Sequence, residues 1–258
     1  MLDLHATACA IAVIGMLAAA GWVVSVIRRD ASVVDPLWSL FFLFAVLAYR
    51  QLLPRTPRGD LLLLLVALWA LRLAGYLLIR NWGEPEDRRY QKIRVRNEPG
   101  FWWRSLYLVF GLQAALAAVL SLPLLWAAAS HAKLGVLDVF GTVLWLVGFL
   151  FETIGDLQLA RFKRVGAAGA VLDRGLWRYT RHPNYFGEAL LWWGYFLLAA
   201  AAGGWWVVFA PMLMTFLLLR VSGVSLLEAD IGERRPAYRD YVARTNAFLP
   251  WPPRRTPA

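Results

Sequence analysis

The 258-residue chain is short of the residues that build several common kinds of protein. Its one cysteine, Cys9, excludes an internal disulfide and a cysteine metal cluster. Charged residues make up only 17% of the chain, whereas hydrophobic residues make up 60%. The chain contains no Walker A sequence and no G-x-G-x-x-G placed between a strand and a helix. These absences exclude a disulfide-rich secreted scaffold, a disordered protein and an ordinary cytosolic enzyme.

The hydrophobic residues are collected in long runs, and the mean hydropathy is +0.52. A transmembrane helix needs about 20 mostly apolar residues. The sequence therefore predicts an all-α polytopic membrane protein with seven transmembrane helices, treated as one domain over residues 1–258 with a tail from about 229 to 258 at the cytoplasmic interface. The predicted spans are residues 6–27, 33–49, 61–79, 105–130, 134–156, 184–202 and 205–227.

Basic residues are distributed unequally between the two sets of loops that seven spans would create. One set holds 4 Lys and Arg residues and the other holds 21. Because cytoplasmic loops carry the excess of Lys and Arg, the N-terminus is expected outside and the C-terminus in the cytoplasm. This asymmetry explains the net charge of +10 without a nucleic acid. We expect an integral protein of a bacterial inner membrane, with its active site open to the cytoplasm.

Several ionisable residues interrupt the predicted spans. Such groups are costly in a membrane and commonly serve function. They are expected to lie in the cytoplasmic half of the spans and to face a polar cavity that opens inward; they are Asp35, Arg72, Glu152, Asp156, Glu188 and Arg220.

Two loops, residues 80–90 and 174–185, mix arginines with aromatic, amide and carboxylate side chains. Guanidinium groups bind phosphate in a bidentate manner, and aromatic rings stack on flat bases. The mixture favours a nucleotide-bearing cofactor. No metal is expected, because the three histidines, His5, His131 and His182, lie far apart in the sequence.

The run Gly175-Leu176-Trp177-Arg178-Tyr179-Thr180-Arg181-His182-Pro183-Asn184-Tyr185-Phe186-Gly187-Glu188 resembles the membrane-embedded steroid 5α-reductase family. The likeness extends from the second span to Pro250. Other matching stretches are Val34-Asp35-Pro36-Leu37-Trp38, Glu86-Asp87-Arg88-Arg89-Tyr90, Gly155-Asp156-Leu157-Gln158-Leu159 and the segment from Arg220 to Glu228.

The resemblance implies a seven-helix enzyme that binds NADPH from the cytoplasm and takes an apolar substrate from the bilayer. In that family, hydride passes to C5 of a Δ4-3-ketosteroid, and a proton is delivered at C4. Hydride addition to an enone builds negative charge on the carbonyl oxygen, so a hydrogen-bond donor must face that oxygen. A carboxylic acid in an apolar site can serve as this donor.

Residue roles follow from this resemblance. The catalytic acid is expected to be Asp35 with Tyr76 as its tyrosine partner, because Trp69 stands at the position that aligns with the family's tyrosine. Trp38, Trp69 and Glu188 are expected to contact substrate. Cofactor contacts are expected from Asn81, Arg88, Asp156, Lys163, Asn184, Glu188 and Arg220. Further expected cofactor contacts are Arg72, Glu152, Tyr179, Arg181, His182 and Glu228, of which Glu152 and Glu228 depart from the residues of animal members.

Two other functions compete with an NADPH-dependent enone reductase. The first is an S-adenosylmethionine-dependent methyltransferase of the isoprenylcysteine type, which shares the Arg-His-Pro-Asn-Tyr element. The second is a transporter or lipid-binding protein in which the charges within the spans are coupled. The abundance of arginines in the loops favours NADPH, because adenosylmethionine carries no phosphate. The expected partner is an apolar steroid-like lipid, and the protein is expected to be a monomer.

Overall fold

The computed structural model describes residues 2–165, 169–221, 223–224, 228 and 236–254, and every regular element in these ranges is helical. The chain divides into two compact units, Met1–Gly135 with Leu198–Val207 and Val136–Leu197 with Val208–Ala258. The all-α prediction is confirmed for the described residues. The single domain over residues 1–258 stays a prediction. Of the expected tail at 229–258, residues 236–254 are described.

The described part of the first unit is built around a central helix, α2. Its α-helices are α1 (Leu4–Arg28), α2 (Val34–Leu52), α3 (Pro57–Asn81), α4 (Arg88–Asn97), α5 (Phe101–Ser105) and α6 (Leu112–Ala128). A 3-10 turn precedes α2, and a π-helical turn joins α5 to α6. Helices α1, α3 and α6 all pack against α2. The residues at the start of α2 are therefore held by several neighbouring elements.

Capping residues explain why two of these helices begin before the predicted spans. The Asp3 side chain accepts a hydrogen bond from the backbone N–H of Ala6 and begins α1. The Thr56 side chain caps α3 through the N–H of Gly59, with Pro57 at the first helical position. Hydropathy alone placed the start of this span at residue 61, because the capping turn is polar.

Five helical stretches are long and apolar enough to cross a membrane. They are Leu4–Arg28, Ala31–Leu52, Pro57–Asn81, Phe101–Ala128 and Val136–Val165. These helices correspond to the first five predicted spans. The fifth continues past its predicted end at residue 156, because one uninterrupted helix carries residues 156–165, in which charged and apolar residues are mixed, beyond the apolar run.

The sixth and seventh spans stay predictions, as does the orientation of the termini. Helix α8 (Pro183–Ala201) has 19 residues, but Asn, Glu, Tyr and Trp side chains lower its mean hydropathy, and it is not among the five candidate spans. The stretch Trp205–Val221 is apolar but shorter. Residues 222 and 225–227 of the predicted seventh span lie outside the described residues.

The second unit is organised around two closely packed helices. Its described α-helices are α7 (Val136–Val165), α8 up to its boundary at residue 197, α9 (Phe209–Phe216) and α10 (Tyr238–Arg244). A π-helical turn, Leu217–Val221, continues α9. The segment between α7 and α8 contains a 3-10 turn, Gly175–Arg178.

Glycines allow the backbones of α7 and α8 to touch. A Cβ atom added at Gly148 of α7 would lie 2.5 Å from the backbone N of Leu191. One added at Gly187 of α8 would lie 2.4 Å from the backbone N of Glu152. Real Cβ atoms do not approach so closely, so only glycine permits this packing. The contact brings the polar residues in the second half of α7 against the first turns of α8.

Candidate functional site

Asp35, the predicted catalytic acid, lies in the first turn of α2 within a hydrogen-bonded cluster. The Tyr90 hydroxyl donates to Oδ1 of Asp35 at 2.7 Å. Arg89 donates to Oδ2 at 2.8 Å, and Arg80 donates to the same oxygen at 3.4 Å. Burial and the charge of Asp35 raise the pKa of Tyr90 well above its usual value. The Tyr90 hydroxyl therefore remains a hydrogen-bond donor at neutral pH.

An aromatic column runs along α2 from this cluster. Trp38, one turn after Asp35, contacts Phe42 edge to face with ring centroids 5.2 Å apart. Phe42 in turn contacts Trp69 of α3 at 5.7 Å. Phe42 and Trp69 are buried, whereas Trp38 is half-buried. Two of the three predicted substrate contacts, Trp38 and Trp69, thus belong to one apolar column that begins beside the Asp35 cluster.

A second set of ion pairs fixes α4 against the start of α2. Both oxygens of Glu86 accept from Arg94 at 2.8 Å, and Glu86 also accepts from the backbone N–H of Ala31 at 2.8 Å. The Arg94 guanidinium lies 4.4 Å from the centre of the Phe101 ring. Hydrogen bonding to Glu86 raises the pKa of Arg94. This clamp holds the helix that carries Arg89 and Tyr90.

Sequence reasoning missed Tyr90 and Arg89. The family resemblance transferred a cofactor role to Arg88, and Tyr76 was chosen as the tyrosine partner of the acid. Asp87 caps α4 by accepting from the N–H of Arg89 at 2.9 Å. The helix that follows this cap directs Arg89 and Tyr90 to Asp35 and leaves Arg88 exposed. The Asp cap three residues before a tyrosine was the available signal; the role of Tyr76 stays a prediction.

Three buried carboxylates lie in the second unit, on the facing helices α7 and α8. Glu152, Asp156 and Glu188 are each less than 9% exposed. The Asn184 amide donates to Oδ1 of Asp156 at 3.2 Å. Tyr195, which is fully buried, lies within electrostatic range of both Glu152 and Glu188. These three carboxylates, all predicted cofactor residues, are called the acidic cluster below, whereas Lys163 of α7, another predicted cofactor residue, is exposed.

Two asparagines, one in each unit, have buried amide atoms with no hydrogen-bond partner among the described residues. These atoms are Nδ2 of Asn81, at the end of α3, and Oδ1 of Asn184, in the first turn of α8. A buried polar atom without a partner is costly and commonly marks a place where a ligand or water completes the hydrogen bond. Both residues are predicted cofactor contacts.

Arg181, His182 and Glu228 bind one another. Arg181 donates to both Glu228 oxygens at 2.7 Å, and the His182 ring nitrogen Nε2 lies 2.9 Å from Oε1 of Glu228. Arg181 also donates to the backbone carbonyl of Thr245. Burial alone raises the pKa of Glu228, but hydrogen bonds from His182 and Arg181 outweigh burial and lower it to about 2. Glu228 is therefore a carboxylate at neutral pH.

This cluster anchors the C-terminal segment, residues 236–254. The Thr180 hydroxyl donates to the carbonyl of Phe248 at 2.8 Å. The Tyr241 hydroxyl donates to the carbonyl of Trp177. Arg181 of the Arg-His-Pro-Asn-Tyr element thus has a structural function: together with Thr180 and Trp177 it holds residues 236–254. Cofactor roles for Arg181, His182 and Glu228 stay predictions.

The remaining predicted cofactor residues differ in their exposure. The exposed members are Arg88, Lys163, Tyr179 and Arg220, whereas Arg72 is half-buried. Among residues 2–165, 169–221, 223–224, 228 and 236–254, no group of three or more His, Cys, Asp and Glu side chains is arranged to hold a metal ion.

The long apolar helices are those of a helical, membrane-integral protein. A family model described as "Protein of unknown function (DUF1295)" matches residues 21–245, and the chain belongs to this family. The family is related to steroid 5α-reductases and isoprenylcysteine methyltransferases. The chain is also 27% identical to Uncharacterized protein C594.04c of Schizosaccharomyces pombe over 264 residues, covering 89% of this chain and 75% of the relative. No solved structure matches the chain.

Proposed function

We propose that the protein is an NADPH-dependent reductase of enone lipids, with Δ4-3-ketosteroids as representative substrates. The observation that carries the proposal is the 2.7 Å hydrogen bond from Tyr90 to Asp35, at the head of the aromatic column. A flat apolar molecule with a carbonyl at one end matches this arrangement, because its carbonyl would meet the Tyr90–Asp35 pair and its apolar body would lie along the aromatic column. NADPH, when bound, supplies the hydride that is added to C5 of the enone.

The residues around Asp35 suit the charge that develops in this reaction. Reduction of an enone builds negative charge on the carbonyl oxygen. In the substrate complex, the single proton of the Tyr90 hydroxyl would turn from Asp35 to that oxygen, Arg89 would remain paired with Asp35, and the proton added at C4 would come from water. Arg89, which contacts the other Asp35 oxygen at 2.8 Å, adds positive charge beside the developing enolate. Preorganised donors of this kind contribute about 10²–10³ in rate.

The fit of NADPH to these residues is uneven. Asn81 and Asn184 each have a buried amide atom available for a ribose or amide group. Arg88 is exposed and is placed to pair with a phosphate. Arg181, by contrast, already binds Glu228 and a backbone carbonyl. Asn81 and Arg88, which lie in the same unit as Asp35, are accordingly the residues that we expect to hold the nucleotide.

One observation favours an adenosylmethionine-dependent methyltransferase as the second candidate. Glu152, Asp156 and Glu188 form a buried acidic cluster, which suits the positively charged sulfonium of adenosylmethionine better than the phosphates of NADPH. The engagement of Arg181 by Glu228 also leaves fewer arginines for phosphate. The two candidates differ in which nucleotide binds, so a binding measurement separates them.

The proposal is tested with the full chain purified in detergent. NADPH and progesterone are expected to give the 5α-reduced steroid, detected by mass spectrometry, with matching oxidation of the nucleotide. Nucleotide binding is measured in parallel by thermal shift with NADPH and with adenosylmethionine. A shift with adenosylmethionine alone, together with no reduced steroid, would favour the methyltransferase.

The Tyr90→Phe variant tests the site itself. Removing the hydroxyl donor is expected to lower kcat by about 10²–10³ while NADPH binding is retained. Tyr107→Phe is the matched control, because Tyr107 is exposed and does not contact Asp35 in the described structure. Equal turnover by Tyr90→Phe and the wild type would refute the role given to this hydroxyl.

A further inference from the structure

One face of α4 is exposed, basic and free of acidic residues. The helix reads RRYQKIRVRN and contains no Asp or Glu. Its other face carries Tyr90, Arg89 and Arg94, which bind carboxylates of the first unit. Lys92 and Arg96, four residues apart, share the exposed face, and Val95 between them is 78% exposed. An exposed apolar residue between two cations is a pattern that suits a membrane surface.

Hydrogen bonds place α4 beside the ends of two candidate membrane spans. Arg94 donates to the backbone carbonyl of Arg29, which caps the end of α1, at 3.2 Å. The backbone N–H of Asp87 donates to the Ser32 hydroxyl at 2.8 Å. Ser32 lies in the first turn of the candidate span Ala31–Leu52. The helix is therefore held at the level where these two spans begin or end.

The chain after α4 enters another candidate span almost at once. Only residues 98–100 separate α4 from Phe101, where the span Phe101–Ala128 begins. Trp102 and Trp103, in the first turn of that span, are 59% and 45% exposed. Exposed tryptophans at the end of a span are typical of the bilayer interface. A three-residue connection reaches at most about 14 Å, so α4 also lies near this interface.

The geometry points to a membrane-surface role for α4: its exposed face, formed by Lys92, Val95 and Arg96, binds the phosphate groups of anionic phospholipids in the membrane that the chain itself crosses. Lys92 and Arg96 meet the headgroup phosphates, and Val95 enters the boundary between headgroups and acyl chains. The opposite face of α4 carries Tyr90 and Arg89, which bind Asp35. Lipid contact at Lys92, Val95 and Arg96 therefore stabilises the helix that positions these two residues.

The test uses full-length protein with a single labelling site, made by combining Cys9→Ser with Val95→Cys. An environment-sensitive fluorophore is attached to this cysteine, and the protein is reconstituted into vesicles of phosphatidylcholine alone or of phosphatidylcholine with an equal amount of phosphatidylglycerol. We expect a shift of emission to shorter wavelength and protection from a water-soluble quencher in the phosphatidylglycerol vesicles. High salt is expected to reverse part of this change, because screening weakens ionic contacts.

A double variant and a matched control separate a specific surface from net charge. Each basic residue near an anionic bilayer surface contributes about a fivefold preference for that surface. Lys92→Gln with Arg96→Gln is therefore expected to reduce the enrichment of phosphatidylglycerol around the protein, measured by native mass spectrometry, by about 25-fold. Arg161→Gln with Arg164→Gln removes the same charge from an exposed part of α7 and is expected to leave the signal at position 95 unchanged.

Three outcomes would overturn this inference. The first is a label at position 95 that is equally open to the quencher with and without phosphatidylglycerol. The second is an unchanged enrichment of phosphatidylglycerol around the Lys92→Gln, Arg96→Gln variant. The third is a loss of the fluorescence shift at position 95 that is as large in the Arg161→Gln, Arg164→Gln control as in the Lys92→Gln, Arg96→Gln variant, which would show an effect of net charge alone.

Discussion

The Glu228→Gln substitution should release the C-terminal segment from the Arg-His-Pro-Asn-Tyr element. Glu228 is the acceptor for both Arg181 and His182, and its side chain is 19% exposed. Its pKa falls from 4.5 to about 2, and at about 1.4 kcal/mol per pH unit this difference corresponds to about 3 kcal/mol. The neutral amide retains one acceptor but leaves the buried Arg181 charge uncompensated, which is the costly change.

Hydrogen exchange read by mass spectrometry measures this release directly. A loss of about 3 kcal/mol raises the opening equilibrium by about 10², so amides of residues 238–244 should exchange about 10² times faster. Asp240→Asn is the matched control, because Asp240 lies on the same helix and is exposed. Exchange in Glu228→Gln within about threefold of the wild type would refute the reasoning, because a threefold change corresponds to well under 1 kcal/mol.

Three other predictions rest on described contacts. The folded pKa of Glu228 is depressed, so its contribution to stability is present above pH 4.5 and is lost as pH falls toward 2. The protection factors of amides in the C-terminal segment, which compare each measured exchange rate with that of an unfolded peptide at the same pH, should therefore fall over that interval. Gly187→Ala should destabilise by about 1–3 kcal/mol in a thermal or denaturant melt, whereas Gly75→Ala, where a Cβ meets nothing within 4 Å, should not. Arg58→Gln removes a buried guanidinium that donates to a hydroxyl and two backbone carbonyls, and it should lower the free energy of unfolding by about 3 kcal/mol in the same melt. Arg55→Gln is the control, because Arg55 is exposed and its substitution should leave the free energy of unfolding almost unchanged.

The long apolar runs predicted five helices well, because hydropathy reports the length of a lipid-facing segment directly. The same measure is weaker for α8, where Asn184 and Glu188 interrupt the apolar pattern. The polar residues that lower the hydropathy of this helix include Glu188 of the acidic cluster. Sequence reasoning therefore identified these residues as unusual but could not say which side chains they bind.

The partner of Asp35 could not be predicted from spacing within a span. Tyr76 was chosen because it lies on a helical face with Trp69, which is an argument about one helix alone. Tyr90 reaches Asp35 because α4 folds back after the cap at Asp87. This position of α4 depends on the hydrogen bond from the backbone N–H of Ala31, in the 3-10 turn before α2, to Glu86, which lies 55 positions further along the chain.

The Arg-His-Pro-Asn-Tyr element shows a second limit of motif reasoning. The mixture of arginines with aromatic, amide and carboxylate side chains in residues 174–185 predicted a nucleotide-bearing cofactor. Arg181 instead has its closest acceptors in Glu228 and in the carbonyl of Thr245, both far along the chain. A motif indicates which side chains are available, but the fold decides whether a ligand or another part of the chain binds them.

The most direct measurement of the proposed reaction is the transfer of deuterium from NADPH to the product. The full chain in detergent is incubated with NADPH deuterated at the transferable position of the nicotinamide and with progesterone, and the steroid is analysed by mass spectrometry. The account predicts one deuterium at C5 of the reduced steroid and loss of that product in Tyr90→Phe. Absence of labelled product from a preparation that is folded by thermal melt would contradict it.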